Sequence, residues 1–144
     1  MSIVFNVWGK IKELINRPYI VESGSNENGH YIKWSNGDLI CRRSVSKESF
    51  KLSTSLSTTV QNIKIYRSNA VTWTYPIKFK EIPTVQSTVA TGLNGSRFCL
   101  GRINGSATAQ NVQIQLLAFE DFIESGLGYS NLNNVDLIAV GKWK

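Results

Sequence analysis

The chain has 144 residues, 42% of them hydrophobic, two cysteines and a formal net charge of +6. That length allows one domain with a short appendage, and a core that removes roughly two-thirds of the unfolded surface from water. Two cysteines exclude a disulfide framework, no run nears the roughly 20 apolar residues of a transmembrane helix, and the first residues lack the pattern of a secretory signal.

Val4, Val7, Ile11 and Leu14 are spaced 3-4-3, which predicts a helix that stops at Pro18. A lone helix of about fourteen residues is marginal in water. The stripe therefore predicts packing against copies of the chain, with residues 1–18 as a helical coiled-coil stalk and residues 19–144 as a β-rich head. Trp8 lies on the flank of the seam, a position from which it could staple the stalk to a neighbour. Two heptads leave dimer and trimer both open.

Beyond Pro18, period-two alternation recurs between turn residues. Residues 19–21 read as a strand and 24–29 as a polar loop, while 30–34 and 38–42 form a hairpin about Asn36-Gly37. The Ser/Thr-rich stretch 44–59 holds Phe50, Leu52 and Leu56 as isolated apolar residues and fits a long surface loop or a weak strand. Ile63 and Ile65, then Val71, Trp73 and Tyr75, alternate up to Pro76, which ends or edges the strand. Val85 and Val89 mark the next one.

Leu93-Asn94-Gly95-Ser96 and Ile103-Asn104-Gly105-Ser106 are near-copies ten residues apart, read as tight turns flanking a short strand. Val112, Ile114, Leu116 and Ala118 alternate with outward Gln113 and Gln115. A loop with Glu120, Asp121 and Glu124 follows. In the last segment Leu137, Ala139, Gly141 and Trp143 share one face, and Asp136, Ile138, Val140 and Lys142 the other. Seven or eight short strands near ten-residue spacing predict an all-β fold, an antiparallel sandwich, with a small closed barrel as its rival.

Chemistry is sparse. His30 is the single histidine, so no Ser-His-Asp triad is available, and one chain supplies too few ligands for a metal. Three copies of His30 on a trimer axis would be the one metal geometry left, and a solvated strand residue is the preferred reading. Glu120, Asp121 and Glu124 read as solvated loop acids, not as a glycosidase pair. The expectation is no enzyme, no cofactor and no metal. Trp34, Trp73 and Trp143 read as core or subunit interface, and Cys41 and Cys99 as small buried thiols. The turns bearing Asn94 and Arg97, and Arg102 and Asn104, offer amide and guanidinium donors suited to sugar hydroxyls or anionic groups. Tyr129, Asn131, Asn133 and Asn134 form a second polar loop with one aromatic ring.

Several runs together resemble the C-terminal head of phage and prophage tail-fibre proteins. They are Tyr19-Ile20-Val21-Glu22-Ser23-Gly24, then Gly29-His30-Tyr31-Ile32-Lys33-Trp34-Ser35-Asn36-Gly37, then Val71-Thr72-Trp73-Thr74-Tyr75-Pro76-Ile77-Lys78-Phe79 with Ile82-Pro83-Thr84-Val85, and the ending Ile138-Ala139-Val140-Gly141-Lys142-Trp143-Lys144. The resemblance covers nearly all of residues 19–144. It implies a homotrimeric head similar to the H-type lectin fold at the distal end of a virion tail fibre. The protein would be made in the bacterial cytoplasm and act outside it, at the host surface, for attachment. The partners implied are other phage tail proteins and a bacterial surface glycan or surface protein, with no nucleic acid and no membrane insertion. The family carries no fixed binding motif to transfer, and the stretch 44–59 is longer than its pattern leads one to expect.

Two alternatives stand beside it. One is a single-stranded nucleic-acid-binding barrel; against it, the cations are scattered where such proteins gather them on one stripe. The other is a structural virion decoration without a receptor.

Overall fold

A computed structural model describes residues 2–56, 65–91, 99–119 and 132–144. The elements in chain order are α1 (Ser2–Ile15), β1 (Ile20–Asn26), β2 (Gly29–Trp34), β3 (Asp38–Val45), a 3-10 turn (Lys47–Ser49), β4 (Leu52–Leu56), β5 (Ile65–Ser68), β6 (Val71–Thr74), β7 (Thr84–Thr91), β8 (Cys99–Ile103), β9 (Asn111–Phe119) and β10 (Leu132–Lys142). The protein is all-β and antiparallel apart from one short helix.

Helix α1 closes with the Asn16 amide on the Lys12 carbonyl and yields at Pro18, which cannot extend it. Its residues from Val7 onward are exposed: Val7 50%, Ile11 37% and Leu14 62%. The side chain of Val4 lies outside the described residues.

Among the described residues the strands build two five-stranded sheets, not one closed ladder. The first has the order β1-β2-β3-β10-β7; in the second, β9 pairs with β8 along one edge and with β5 and β6 along the other, and β4 lies outside β5. The inward residues alternate as expected, Leu39 and Cys41 on β3, Val112, Ile114, Leu116 and Ala118 on β9, Val135, Leu137 and Ala139 on β10, and they join one core. Trp73, Tyr75 and Phe79 stack edge to face across it, with ring centroids 5.0 Å apart in each pair.

The chain from Gly24 to Gly29 is not a loop. Strand β1 runs on to Asn26, and Glu27 and Asn28 alone make the turn, the Asn28 amide donating to the Asn26 side chain at 2.9 Å. Gly29 sits at φ +127°, and a Cβ there would run into the Arg42 carbonyl. The Asn36-Gly37 hairpin forms as the dipeptide predicts, with Gly37 at φ +91° and its amide on the Trp34 carbonyl.

Within residues 44–59, β3 continues to Val45, Ser46 caps the 3-10 turn by accepting from the Glu48 amide, and β4 follows. Phe50, an isolated apolar residue in the sequence, is fully buried. Asn133 and Asn134 belong to β10, where the register with β7 shifts between Leu132 and Val135.

The sheets have two distinct ends. Ile20, Trp34, Asp38 and Lys142 come together where α1 joins. The other end of the first sheet holds Asn26, Gly29, Val45 and the pair Leu132–Thr91, while Leu56–Ile65, Ile65–Phe119 and Cys99–Ala118 mark one end of the second sheet.

Replacing Phe50 by alanine empties a fully buried ring site, so F50A should lose about 3–5 kcal/mol in urea unfolding. L100A, at a residue 48% exposed, should stay within about 0.5 kcal/mol of the parent.

Candidate functional site

The outer face of the β9 sheet holds two of the expected contact residues, Arg102 and Asn104. Gln113 and Gln115 alternate with the core residues of β9, and β8 places Arg102 directly opposite Gln115. The Arg102 guanidinium donates from Nη2 to Gln115 Oε1 at 3.2 Å and to Asn104 Oδ1 at 3.4 Å. Asn104 Nδ2 donates to Gln113 Oε1 at 3.3 Å, and the Asn104 amide to the Gln113 carbonyl at 2.8 Å.

Gln115 is itself anchored. Its Nε2 donates to the Ser68 carbonyl at 3.1 Å, while Ser68 Oγ accepts from the Leu116 amide at 2.9 Å and donates to the Asn69 carbonyl at 2.7 Å. A line of hydrogen bonds therefore runs from the buried Ser68 out to an exposed guanidinium. Arg102 Nε and Nη1 have no partner among the described residues. A planar donor fork held in one orientation suits hydroxyl, carboxylate or phosphate oxygens.

Arg102 and Asn104 lie toward the far end of β8 from Cys99, where residues 92–98 enter. Asn94 and Arg97, and Tyr129 and Asn131, lie outside the described residues. Gln113 is exposed as the alternation predicts, whereas Gln115 is buried, held between the Ser68 carbonyl and the Arg102 guanidinium. Nothing in the local pattern marks Ser68 as the anchor.

The other polar cluster sits where α1 joins. Glu22 accepts from Tyr31 Oη at 2.7 Å and from Lys33 Nζ at 2.6 Å. Lys33 Nζ also lies 5.4 Å from the Trp143 ring centroid, and Lys144 Nζ 5.2 Å from it. Trp143 Nε1 donates to the Trp34 carbonyl at 3.1 Å, and Lys142 pairs with Asp38. Trp34 and Trp143 are half-buried, Trp73 is fully buried with Nε1 on the Asn28 carbonyl at 2.9 Å, and Trp8 is 62% exposed on α1. The Trp143 ring is thus taken up by its own chain's ammonium groups.

Cys41 and Cys99 are free and buried, and burial pushes both thiols up to about 11. At neutral pH they stay protonated and unreactive. Among the described residues no group of three or more His, Cys, Asp or Glu side chains is placed to hold a metal ion, and no helix is long and apolar enough to cross a membrane. His30 is exposed on β2.

No protein-family model matches the chain, and no curated protein or solved structure matches it either.

The hydrogen bonds of Lys33 and Tyr31 hold the Glu22 carboxyl below its ordinary value, and those of Lys142 and Asn36 do the same for Asp38. Carboxyls with lowered folded pKa stabilise the fold above the ordinary carboxylate range, and that stabilisation is lost as pH falls through the lowered values. The urea midpoint should therefore drop on acidification, and the drop should shrink in an E22Q/D38N double variant.

Proposed function

We propose that the chain is the tip of a phage or prophage tail fibre, a homotrimeric, non-enzymatic β-sandwich head that binds a receptor on the bacterial surface. The observation that carries this reading is α1. Its seam residues Val7, Ile11 and Leu14 stand in solvent beside a β body that already has its own core. Exposed a and d positions are covered when copies of the helix pack together. Trimer is the state implied by the resemblance of residues 19–144 to tail-fibre heads.

The two-ended arrangement supports the same reading. A stalk at the α1 end leaves the opposite end of the first sheet, with the β1–β2 turn and the Leu132–Thr91 pair, pointing away from the particle. The sheet faces, including Arg102, stay open along the sides. Such a head needs only modest affinity per site, because three copies on a fibre and several fibres on a particle multiply binding by avidity.

Light scattering on the purified chain should give three times its 16.1 kDa mass. An I11D/L14D variant should sediment as a monomer with its β signature intact, and its binding to susceptible cells should fall at least about tenfold. A parent protein that is a clean monomer at micromolar concentration removes the stalk. Binding to whole cells that purified surface polysaccharide competes separates a glycan receptor from a protein receptor, and absence of any cell binding leaves a decoration protein.

A further inference from the structure

The outer face of the β10 sheet carries a block that solvent alone does not explain. An antiparallel sheet with one face on a core usually turns polar residues outward. Here the cross-strand row runs Ser23, Ile32, Ile40, Val140, Thr84, with three aliphatic side chains abreast on β2, β3 and β10. The next row runs Ser25, His30, Arg42, Ile138, Gln86, and beyond it Ser44 lies opposite Asp136.

The sheet hollows over these rows into an open cleft of about 520 Å³, with His30, Ile32, Ile40, Arg42, Ser44 and Asp136 among its lining. That volume lies within the range of small-ligand sites. The floor is half-buried Ile32 and Ile40, and the rim is exposed Arg42, His30, Ser44 and Asp136. Arg42 and Asp136 belong to none of the ion pairs among the described residues and make no side-chain hydrogen bond there. Their donors and acceptors stand open above an apolar floor.

This chemistry selects a ligand class. A pyranose ring presents a C–H face to an aliphatic floor and hydroxyls to its rim. A guanidinium without a counter-ion asks for a carboxylate, which it binds as a planar fork. A carboxylate such as Asp136 accepts from ring hydroxyls, and a net charge of +6 draws anionic chains toward the surface. We infer that this cleft binds an acidic sugar, a uronate or sialate unit of a surface polysaccharide. Its carboxylate sits on Arg42, its ring on Ile32 and Ile40, and its hydroxyls on Asp136 and Ser44. The inference rests on the receptor-binding reading and names the glycan class for a face that sequence reading did not mark.

Methyl-labelled full-length protein, titrated with glucuronate and galacturonate disaccharides and with N-acetylneuraminate, tests it by NMR. At least one of these should shift the Ile32 and Ile40 methyls and the His30 ring saturably, with glucose and galactose at least tenfold weaker. R42Q should weaken the acidic sugar at least tenfold and D136N severalfold, both at surface positions, while K80Q, at an exposed cation elsewhere, leaves it unchanged. The inference is overturned if no acidic sugar moves these methyls, if R42Q binds as the parent does, or if the methyls shift with protein concentration alone, which would mark a contact between copies. A parent that adheres to cells while every sugar leaves the cleft unmoved refutes the cleft and spares the tail-fibre reading. A parent that stays monomeric and ignores cells, yet binds an acidic sugar here, does the reverse.

Discussion

One extra residue between β5 and β6 decides which way the centre of the second sheet faces. Both strands pair with the same edge of β9, Arg67 opposite Leu117 and Val71 opposite Ile114, so four steps along one strand match three along the other. In an unbroken ladder the inward phase of Tyr66 and Ser68 would pass to the even-numbered residues and turn Trp73 to solvent, because a one-residue slip exchanges the two faces of a strand. The bulge restores the phase. Trp73 then enters the core, reaches the β1–β2 turn through Asn28, and starts the edge-to-face series with Tyr75 and Phe79. The bulge also opens the ladder, and Ser68 Oγ takes the Leu116 amide while Gln115 takes the Ser68 carbonyl. The same repair that keeps buried polar groups bonded also fixes the glutamine on which Arg102 rests.

The two outer sheet faces end up with different chemistry for reasons of register. On the β9 sheet the outward residues hydrogen-bond to one another, so Arg102 is oriented within a network and offers its remaining donors in one plane. On the β10 sheet the outward rows mix aliphatic side chains with charges, Arg42 and Asp136, that form no ion pair among the described residues. Charges are satisfied instead at the α1 end, where Lys33 meets Glu22 and Lys142 meets Asp38. Surface pairs of this kind add little stability. Their effect is to settle the end of the sheet where the helix begins and where Trp143 closes over Trp34.

Much of this was legible because strand period and turn chemistry are local. The alternation of β9 and β10 named their inward faces, and Asn36-Gly37 named its hairpin. Local pattern failed where the deciding partner lies far along the chain. The Gly24 to Gly29 stretch looks like a loop because five of its six residues favour turns, yet pairing with β2 extends the strand to Asn26. Phe50 looks stray because its core partners belong to other strands. The bulge is invisible, since Ser68 and Asn69 announce neither the extra residue nor the glutamine that answers it. The cleft needs the β3–β10 register, in which Arg42 lies opposite Ile138 and Ser44 opposite Asp136, some ninety residues apart.

The helix is the element whose presence the rest of the fold does not account for. A fourteen-residue helix whose described side chains, from Val7 on, stand in solvent sits at the lower limit of helix stability in water, and the exposed Arg17–Glu13 pair supplies only a few tenths of a kcal/mol. Its carboxylate lies near the C-terminal end, where the helix dipole favours cations, so end charges do not rescue it. Burial of Val7, Ile11 and Leu14 against sister helices would remove three large apolar side chains from water, worth about 1.5–3 kcal/mol each when fully covered. That gain scales with the number of copies that meet, while the entropy cost of ordering each helix does not. On the proposed reading, a β body with its own core would gain from association through α1 and would leave both sheet faces free for other contacts.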